Sequence, residues 1–461
     1  MADYDLIIIG TGSGNSLVTE DFADKKVAVI ERGTFGGTCL NVGCIPTKMF
    51  VYAADVATTI RESARYGVDA TLDGVRWRDI RDRIFGRIDP IADGGRDYRV
   101  TGPNTTAYLG HATFVGAREV EIEITTPGGE HAVGERHRIT GDQVVIATGS
   151  RATAPPVIEA AGVPYETSDT VMRLDDLPRS MAIIGGGVIG AEFAHVFSAL
   201  GVQVTQLQRS ERLLHRLDSE VSELFTQEVA RHWDLRVNTE VTGASSTESG
   251  VRLELSDGDP LDVDVLLVAT GRRPNSDGMG LDVAGVELRP DGRVVVDEHG
   301  RTSTDGVWAL GDISAPHQLK HLANHEARVV AHNLVHPEDL QSFVHTNVPM
   351  AVFSHPQIAM IGLTEQEARD AGHDVSVKVQ HYGDTAYGWA MEDTTSVAKV
   401  IADRGTGLIL GAHLMGPQAS SLIQPIVQAM AFGQDAHTVA RGQFWIHPAL
   451  AEVVENALLG V

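Results

Sequence analysis

Short, unbroken apolar runs that end in glycine alternate along this chain with stretches of helical period. Leu6-Ile7-Ile8-Ile9 leads into Gly10-Thr11-Gly12-Ser13-Gly14-Asn15, and after a helix-like stretch Val27-Ala28-Val29-Ile30 ends at Glu31. Continuous rather than alternating apolar residues predict strands covered on both faces, as in a parallel sheet flanked by helices. The pattern returns once. Ser180–Ile184 leads into Gly185-Gly186-Gly187-Val188-Ile189-Gly190, then a helix pattern over Ala191–Leu200 and a strand over Val202–Leu207. This duplicated unit is the only internal repeat, and no low-complexity tract interrupts the chain.

The glycines tell what the turns are for. Gly10 permits a tight turn after the strand, and Gly12 lets backbone approach a pyrophosphate at the start of the next helix. Glu31, about 20 residues on, stands where a carboxylate accepts from ribose hydroxyls. The sixth motif position is Asn15, which predicts slightly looser packing of helix on strand. In the second unit Gly185, Gly187 and Gly190 complete the motif, but Gln208-Arg209-Ser210-Glu211-Arg212 puts no carboxylate at the ribose position. A neutral residue followed by Arg209 and Arg212 suits a 2′-phosphate, because guanidinium binds phosphate bidentately. The second cofactor is therefore expected to be NADPH.

The remaining segments set the organisation. Strand patterns over Thr106–Ser150 end in Val144-Val145-Ile146-Ala147-Thr148-Gly149, and Leu266–Gly271 closes the second unit in the same way. Pro155-Pro156 and Arg273-Pro274-Asn275 are natural linkers. They bracket an insertion: a first domain over 1–155 that resumes at 276–345, a second over 156–275, and a third over 346–461. The third carries strands at 397–401 and 407–414 and a helix pattern at 418–433. Asp312 follows the strand pattern Val307–Leu310, where alone it reads as a turn or cap aspartate.

Composition narrows the class. A chain of 461 residues, 43% hydrophobic and 21% charged, is too long for one core and too ordinary to be disordered. Its net charge of −25 argues against nucleic acid or an anionic membrane surface as partner. An acidic start, Met1–Asp5, and an apolar run of only Leu6–Ile9 predict neither a signal peptide nor a membrane span, hence a cytoplasmic location. The chain has two cysteines, Cys39 and Cys44, in Gly36-Gly37-Thr38-Cys39-Leu40-Asn41-Val42-Gly43-Cys44. That is no disulfide scaffold, and no second Cys/His pair nearby offers a zinc set, so no metal centre is expected. Two unrelated buried thiols would seldom fall so close in one glycine-rich segment. The spacing favours a redox dithiol.

The order of Gly10–Asn15, Cys39 and Cys44, the second glycine motif, Gly311-Asp312 and the tail His447-Pro448-Ala449-Leu450-Ala451-Glu452 resembles the FAD-dependent pyridine nucleotide–disulfide oxidoreductases. The resemblance spans the whole chain. It implies an α/β fold of two Rossmann-like domains, for FAD and NADPH, with a C-terminal α+β dimerisation domain. It places Gly10, Gly12, Gly14, Glu31, Thr38, Lys48, Ala112, Thr148, Asp312 and Ala323 at FAD, the positive end of a helix starting near Leu319 at the flavin, and Glu192 on Lys48. Gly185, Gly187, Gly190, Arg209, Arg212 and Gly271 would hold NADPH. Val188 departs from the aromatic lid seen in glutathione reductases. Cys44 would be the flavin-side thiol, Cys39 would meet substrate, and His447, oriented by Glu452 of the same chain, would be the proton donor to a homodimeric, shared site.

Three stretches, Gly10–Ser16, Ala386–Asp393 and Trp445–Leu450, narrow the likeness to reductases of a low-molecular-weight thiol disulfide, with mycothione the implied substrate. Dihydrolipoamide dehydrogenase and glutathione-type reductases stay open as alternatives, the former against Gln208, where it normally carries an acid. A redox-sensing flavoprotein without turnover is the non-enzymatic alternative. Mercuric reductase would need a C-terminal cysteine pair that is absent, and soluble transhydrogenase would lack the cysteines present here.

Overall fold

The computed structural model describes residues 2–461; Met1, part of the acidic start, lies outside the described residues. The chain divides into two compact units. The first comprises Met1–Thr47, Arg81–Thr153 and Arg272–His345, the second Lys48–Ile80, Ala154–Gly271 and Thr346–Val461.

The first unit is built on a parallel sheet in the order Val307–Ala309, Arg136–Ile146, Ala2–Ile9, Val27–Glu31, Thr105–Gly116. Strand Glu119–Ile124 pairs antiparallel with the two long strands. Leu6, Ile7, Ile8 and Val27–Ile30 are all buried, because apolar clusters cover both faces. The expectation from their unbroken hydrophobicity holds. Helix Lys320–Val335 lays Ala327 and Val330 on one of these faces.

The helix-like stretch after Gly10 is not an α-helix. Two short 3₁₀ turns, Ser13–Leu17 and Glu20–Phe22, stand there instead. The carbonyl and Oδ1 of Asn15 both accept from the buried Arg99 guanidinium at 2.8 Å. Gly12 and Gly14 on either side of Ser13 are poor helix formers and give continued α-helical bonding little to favour it. Close packing on the strand is made by Gly14, where a Cβ would come within 2.7 Å of Ala147 Cβ.

The second unit holds two further sheets that matter to function. One is parallel, in the order Val265–Val268, Ser180–Ile184, Gln203–Leu207, Asp234–Arg236, with helix Val188–Ala199 after its first glycine turn. The other is antiparallel, in the order Met350–Val352, Ile358–Gly362, Ile409–Met415, Val397–Asp403, Val375–His381. The helix pattern at 418–433 is realised as two helices, Ala419–Leu422 and Gln424–Ala431. Pro425, lacking an N–H, starts the second one afresh.

Buried Lys399 ties the strand Val397–Asp403 to Asp218 and Glu220 at 3.0 Å and to Glu365 at 2.8 Å. Burial opposes ionisation of Asp218, but nearby His413 and Lys399 outweigh it and hold this carboxyl below the usual range. Its stabilising contribution is thus present above the ordinary carboxylate pKa and lost as pH falls. Lys399→Met leaves Asp218 uncompensated and should destabilise the fold by about 3–5 kcal/mol, read as a fall in thermal midpoint. An unchanged midpoint would contradict this. Among the described residues no helix is long and apolar enough to cross a membrane.

Candidate active site

In the first unit the glycine turn is shaped for a dinucleotide. Gly10 has φ +106°, and a Cβ there would sit 2.4 Å from Ala147 O; at Gly12 it would meet nothing nearer than Gly37 Cα at 3.9 Å. The first glycine makes the turn, the second leaves its surface open to a phosphate. Glu31 Oε2 accepts from the Thr11 N–H (2.9 Å) and hydroxyl (2.7 Å), and Oε1 from Gly33 N–H (2.8 Å). The carboxylate is thereby held at the turn, with lone-pair capacity remaining for a ribose. These features fit an FAD.

After strand Val307–Ala309, Gly311 has φ +77°, and a Cβ there would make only ordinary contact with Ala323 Cβ at 3.5 Å. The Gly311 N–H donates to buried Glu326 Oε2 at 2.6 Å, while Glu326 Oε1 lies 2.7 Å from His345 Nε2. Asp312 follows and accepts from the Ser150 hydroxyl at 2.6 Å. Arg272 Nε reaches the same hydroxyl at 3.0 Å, and its Nη2 stands 3.5 Å from Thr38 Oγ1. Ser150, Arg272 and Glu326 were not singled out in the sequence, since no spacing links them to Asp312. Thr148 exchanges hydrogen bonds with Asn275. Ala112 is buried within strand Thr105–Gly116, opposite Ile122.

The two cysteines sit on successive helical segments. Cys39 lies in the single turn Gly37–Asn41, and exposed Cys44 is the first residue of the 19-residue helix Cys44–Glu62. Asn41 Nδ2 donates to Phe35 O (2.8 Å) and Gly37 O (3.0 Å), fixing the loop that carries them. A long helix presents its positive end at its first residue, which favours thiolate over thiol at Cys44.

In the second unit, Lys48 Nζ is 2.7 and 2.6 Å from the two oxygens of Glu192 and 4.8 Å above the Phe353 ring. Glu192 also accepts from Phe353 N–H at 3.0 Å. The expected pair is therefore formed across 144 residues of sequence.

The second glycine turn is the tighter of the two. A Cβ at Gly190 would lie 2.2 Å from Gly185 O, whereas at Gly187 and Gly271 nothing stands within 4 Å. Gln208 is buried under the turn and bonds Ser210. Arg209 is exposed. Arg212 pairs loosely with Glu211 (3.3 Å) and Glu223 (3.5 Å), and its Nε is buried with no hydrogen-bond partner. Such an orphaned donor fits a phosphate that the protein alone does not supply.

At the C-terminus His447 Nδ1 lies 2.7 Å from Glu452 Oε1, and Glu452 Oε2 accepts from Ala449 N–H at 3.2 Å. The hydrogen bond with His447 holds the Glu452 carboxyl below its ordinary value. Engaging Nδ1 leaves Nε2 to face outward on a side chain 70% exposed. Neighbours Phe444 and Ile446 are exposed apolar residues.

Comparison with known proteins shows the family. Residues 4–331 match the family described as pyridine nucleotide-disulphide oxidoreductase, and residues 348–458 its dimerisation domain. The chain is 56% identical over 466 positions to mycothione reductase of Mycobacterium tuberculosis, covering 100% of both. It is 32% identical to glutathione reductase of Burkholderia cepacia, over 98% of this chain and 97% of that one. Among solved structures, an HOCl-induced flavoprotein disulfide reductase from Escherichia coli superposes with a TM-score of 0.87 at 28% identity, covering 100% of this chain and 99% of the other.

Proposed function

The chain belongs to the pyridine nucleotide–disulphide oxidoreductases, flavoproteins that use a pyridine nucleotide, and from that premise we propose that it takes electrons from NADPH to reduce mycothione to mycothiol in the cytoplasm. The observation that carries the chemistry is Cys44 at the first residue of a long helix with Cys39 one turn before it. The full-length likeness to mycothione reductase supports the substrate.

Held by the Gly10–Gly12 turn, Glu31 and Asp312, FAD would supply two-electron transfer between the nicotinamide and the Cys39–Cys44 disulfide. The domains that do this are 1–155 with 276–345 for FAD, 156–275 for NADPH, and 346–461 for dimerisation. The Cys39 thiolate attacks one sulfur of the substrate disulfide, forming a mixed disulfide and expelling a thiolate. His447 protonates that leaving thiolate through Nε2, with Glu452 holding the ring by Nδ1. Cys44 then attacks Cys39 Sγ, which releases the second thiol and restores the Cys39–Cys44 disulfide. One NADPH and one proton are consumed for two thiols formed.

His447 acts across a homodimer in this reading. The outward Nε2, exposed Phe444 and Ile446 beside it, and exposed Phe432 support a tail that docks on a second copy.

The reading is tested by NADPH oxidation against mycothione, glutathione disulfide, lipoamide and trypanothione disulfide. Mycothione should have the highest kcat/KM by about a hundredfold; preference for lipoamide with NAD would overturn it.

Arg209→Ala and Arg212→Ala should each raise the NADPH Michaelis constant about ten- to a hundredfold, the worth of one charged contact. That for NADH should stay. Equal changes for both nucleotides would remove the 2′-phosphate assignment.

A further inference from the structure

Glu62, His232 and His355 meet from three separate places in the second unit. They come from the last residue of helix Cys44–Glu62, the turn after helix Ser219–Val229, and the loop between strands Met350–Val352 and Ile358–Gly362. One ligand-capable atom of each lies within 4.8 Å of the other two. His355 Nε2 stands 3.4 Å from Glu62 Oε1, and the His232 and His355 rings meet edge to face at 5.5 Å between centroids. Two ligands of a tetrahedral centre with bonds of about 2.1 Å lie about 3.4 Å apart. The Glu62–His355 pair is already at that separation.

The surrounding groups fit the same purpose. Arg65 takes Glu62 Oε2 at 3.3 Å, which leaves Oε1 to His355. Glu228 Oε1 stands 3.7 Å from His232 Nε2, close enough to orient that ring or to join the shell, and is itself paired to Arg231. His195, 2.8 Å from Asp55, stacks on His355 at 5.9 Å.

We propose that Glu62, His232 and His355 form a binding site for one divalent transition-metal ion, zinc(II) foremost, with water or Glu228 completing a four-coordinate shell. Two imidazoles and one carboxylate select a borderline ion over calcium or magnesium, which prefer all-oxygen shells. Lys48 and Glu62 lie fourteen residues apart on one helix, about 21 Å along its axis. The ion would stand far from Lys48 along that helix, while His355 lies two residues from Phe353, whose N–H donates to Glu192; its role is to clamp three segments of chain.

The oxidised holoenzyme, cleared of metal with a chelator, is dialysed against micromolar zinc(II) and its metal content measured. One zinc per chain is expected in the wild type and in the Cys39→Ser/Cys44→Ser double variant. His232→Ala and His355→Ala should bind at least about tenfold more weakly. Glu62→Gln, which keeps the shape of the side chain, should do the same should either histidine variant lose FAD and fold poorly. Zinc should raise the thermal midpoint of the wild type and leave that of His232→Ala unmoved. The reductase activity of His232→Ala in chelator should equal that of the wild type. Undiminished zinc in all three ligand variants, loss of zinc in the cysteine double variant alone, or displacement by millimolar magnesium would each overturn the proposal.

Discussion

Replacing Cys44 by serine is expected to abolish disulfide reduction, lowering turnover by on the order of 10³-fold or more. Without Cys44 the mixed disulfide on Cys39 has no intramolecular thiolate to resolve it, so the chain stalls after one encounter with substrate. The variant should also lose the long-wavelength absorption band that a thiolate beside flavin gives on two-electron reduction. Cys39→Ser, by contrast, should keep that band while losing turnover. The asymmetry follows from position: Cys44 opens the helix Cys44–Glu62, whose positive end stabilises its thiolate. A Cys44→Ser enzyme that retained both band and activity would remove Cys44 from the mechanism.

The proton donor should produce the second large effect. His447→Ala should leave reduction of the holoenzyme by NADPH intact, since no thiol leaves in that half-reaction. Disulfide reduction should slow about 10²–10⁴-fold, the usual worth of a positioned general acid. Glu452→Gln should cost less, because it disturbs only the orientation and basicity of the ring. The pH profile of His447→Ala should lose one ionisation, and that ionisation belongs to the thiolate–imidazolium pair together. Mixing His447→Ala subunits with Cys39→Ser subunits should restore activity, because a hybrid dimer holds one site with both native groups. If subunits exchange and activity stays absent, His447 serves its own chain and the shared-site reading falls.

Much of this was legible in the chain itself because certain positions admit one residue type. The turn at Gly10 needs φ +106° and leaves no room for a Cβ, and Gly190 is squeezed against Gly185 O; glycine alone satisfies either, so the motifs could be read as dinucleotide turns. The runs Leu6–Ile9 and Val27–Ile30 are apolar throughout because both faces of that sheet are covered. The cysteines were legible because redox exchange needs two sulfurs close together, and here the same loop carries both. His447 and Glu452 were readable for a similar reason, being five residues apart with the helix start between them.

What depended on the fold is the meeting of residues far apart in the chain. Ser150 reaches Asp312, Arg272 reaches Ser150, and Glu326 reaches Gly311, through strand ends and a helix face that no local pattern specifies. Arg99 reaches Asn15 across 84 residues, and 3₁₀ turns stand where an α-helix was expected. The orphaned Nε of Arg212 and the exposed guanidinium of Arg209 look alike in sequence, and only burial separates them. Glu62, His232 and His355 occur singly, with no spacing to mark them. Backbone conformation and hydrophobic burial are set by residue type and local order, so the sequence determined the glycine turns, the buried strands and the dithiol. Hydrogen-bond and ligand partners are set by distance in space, and tertiary packing alone decided those.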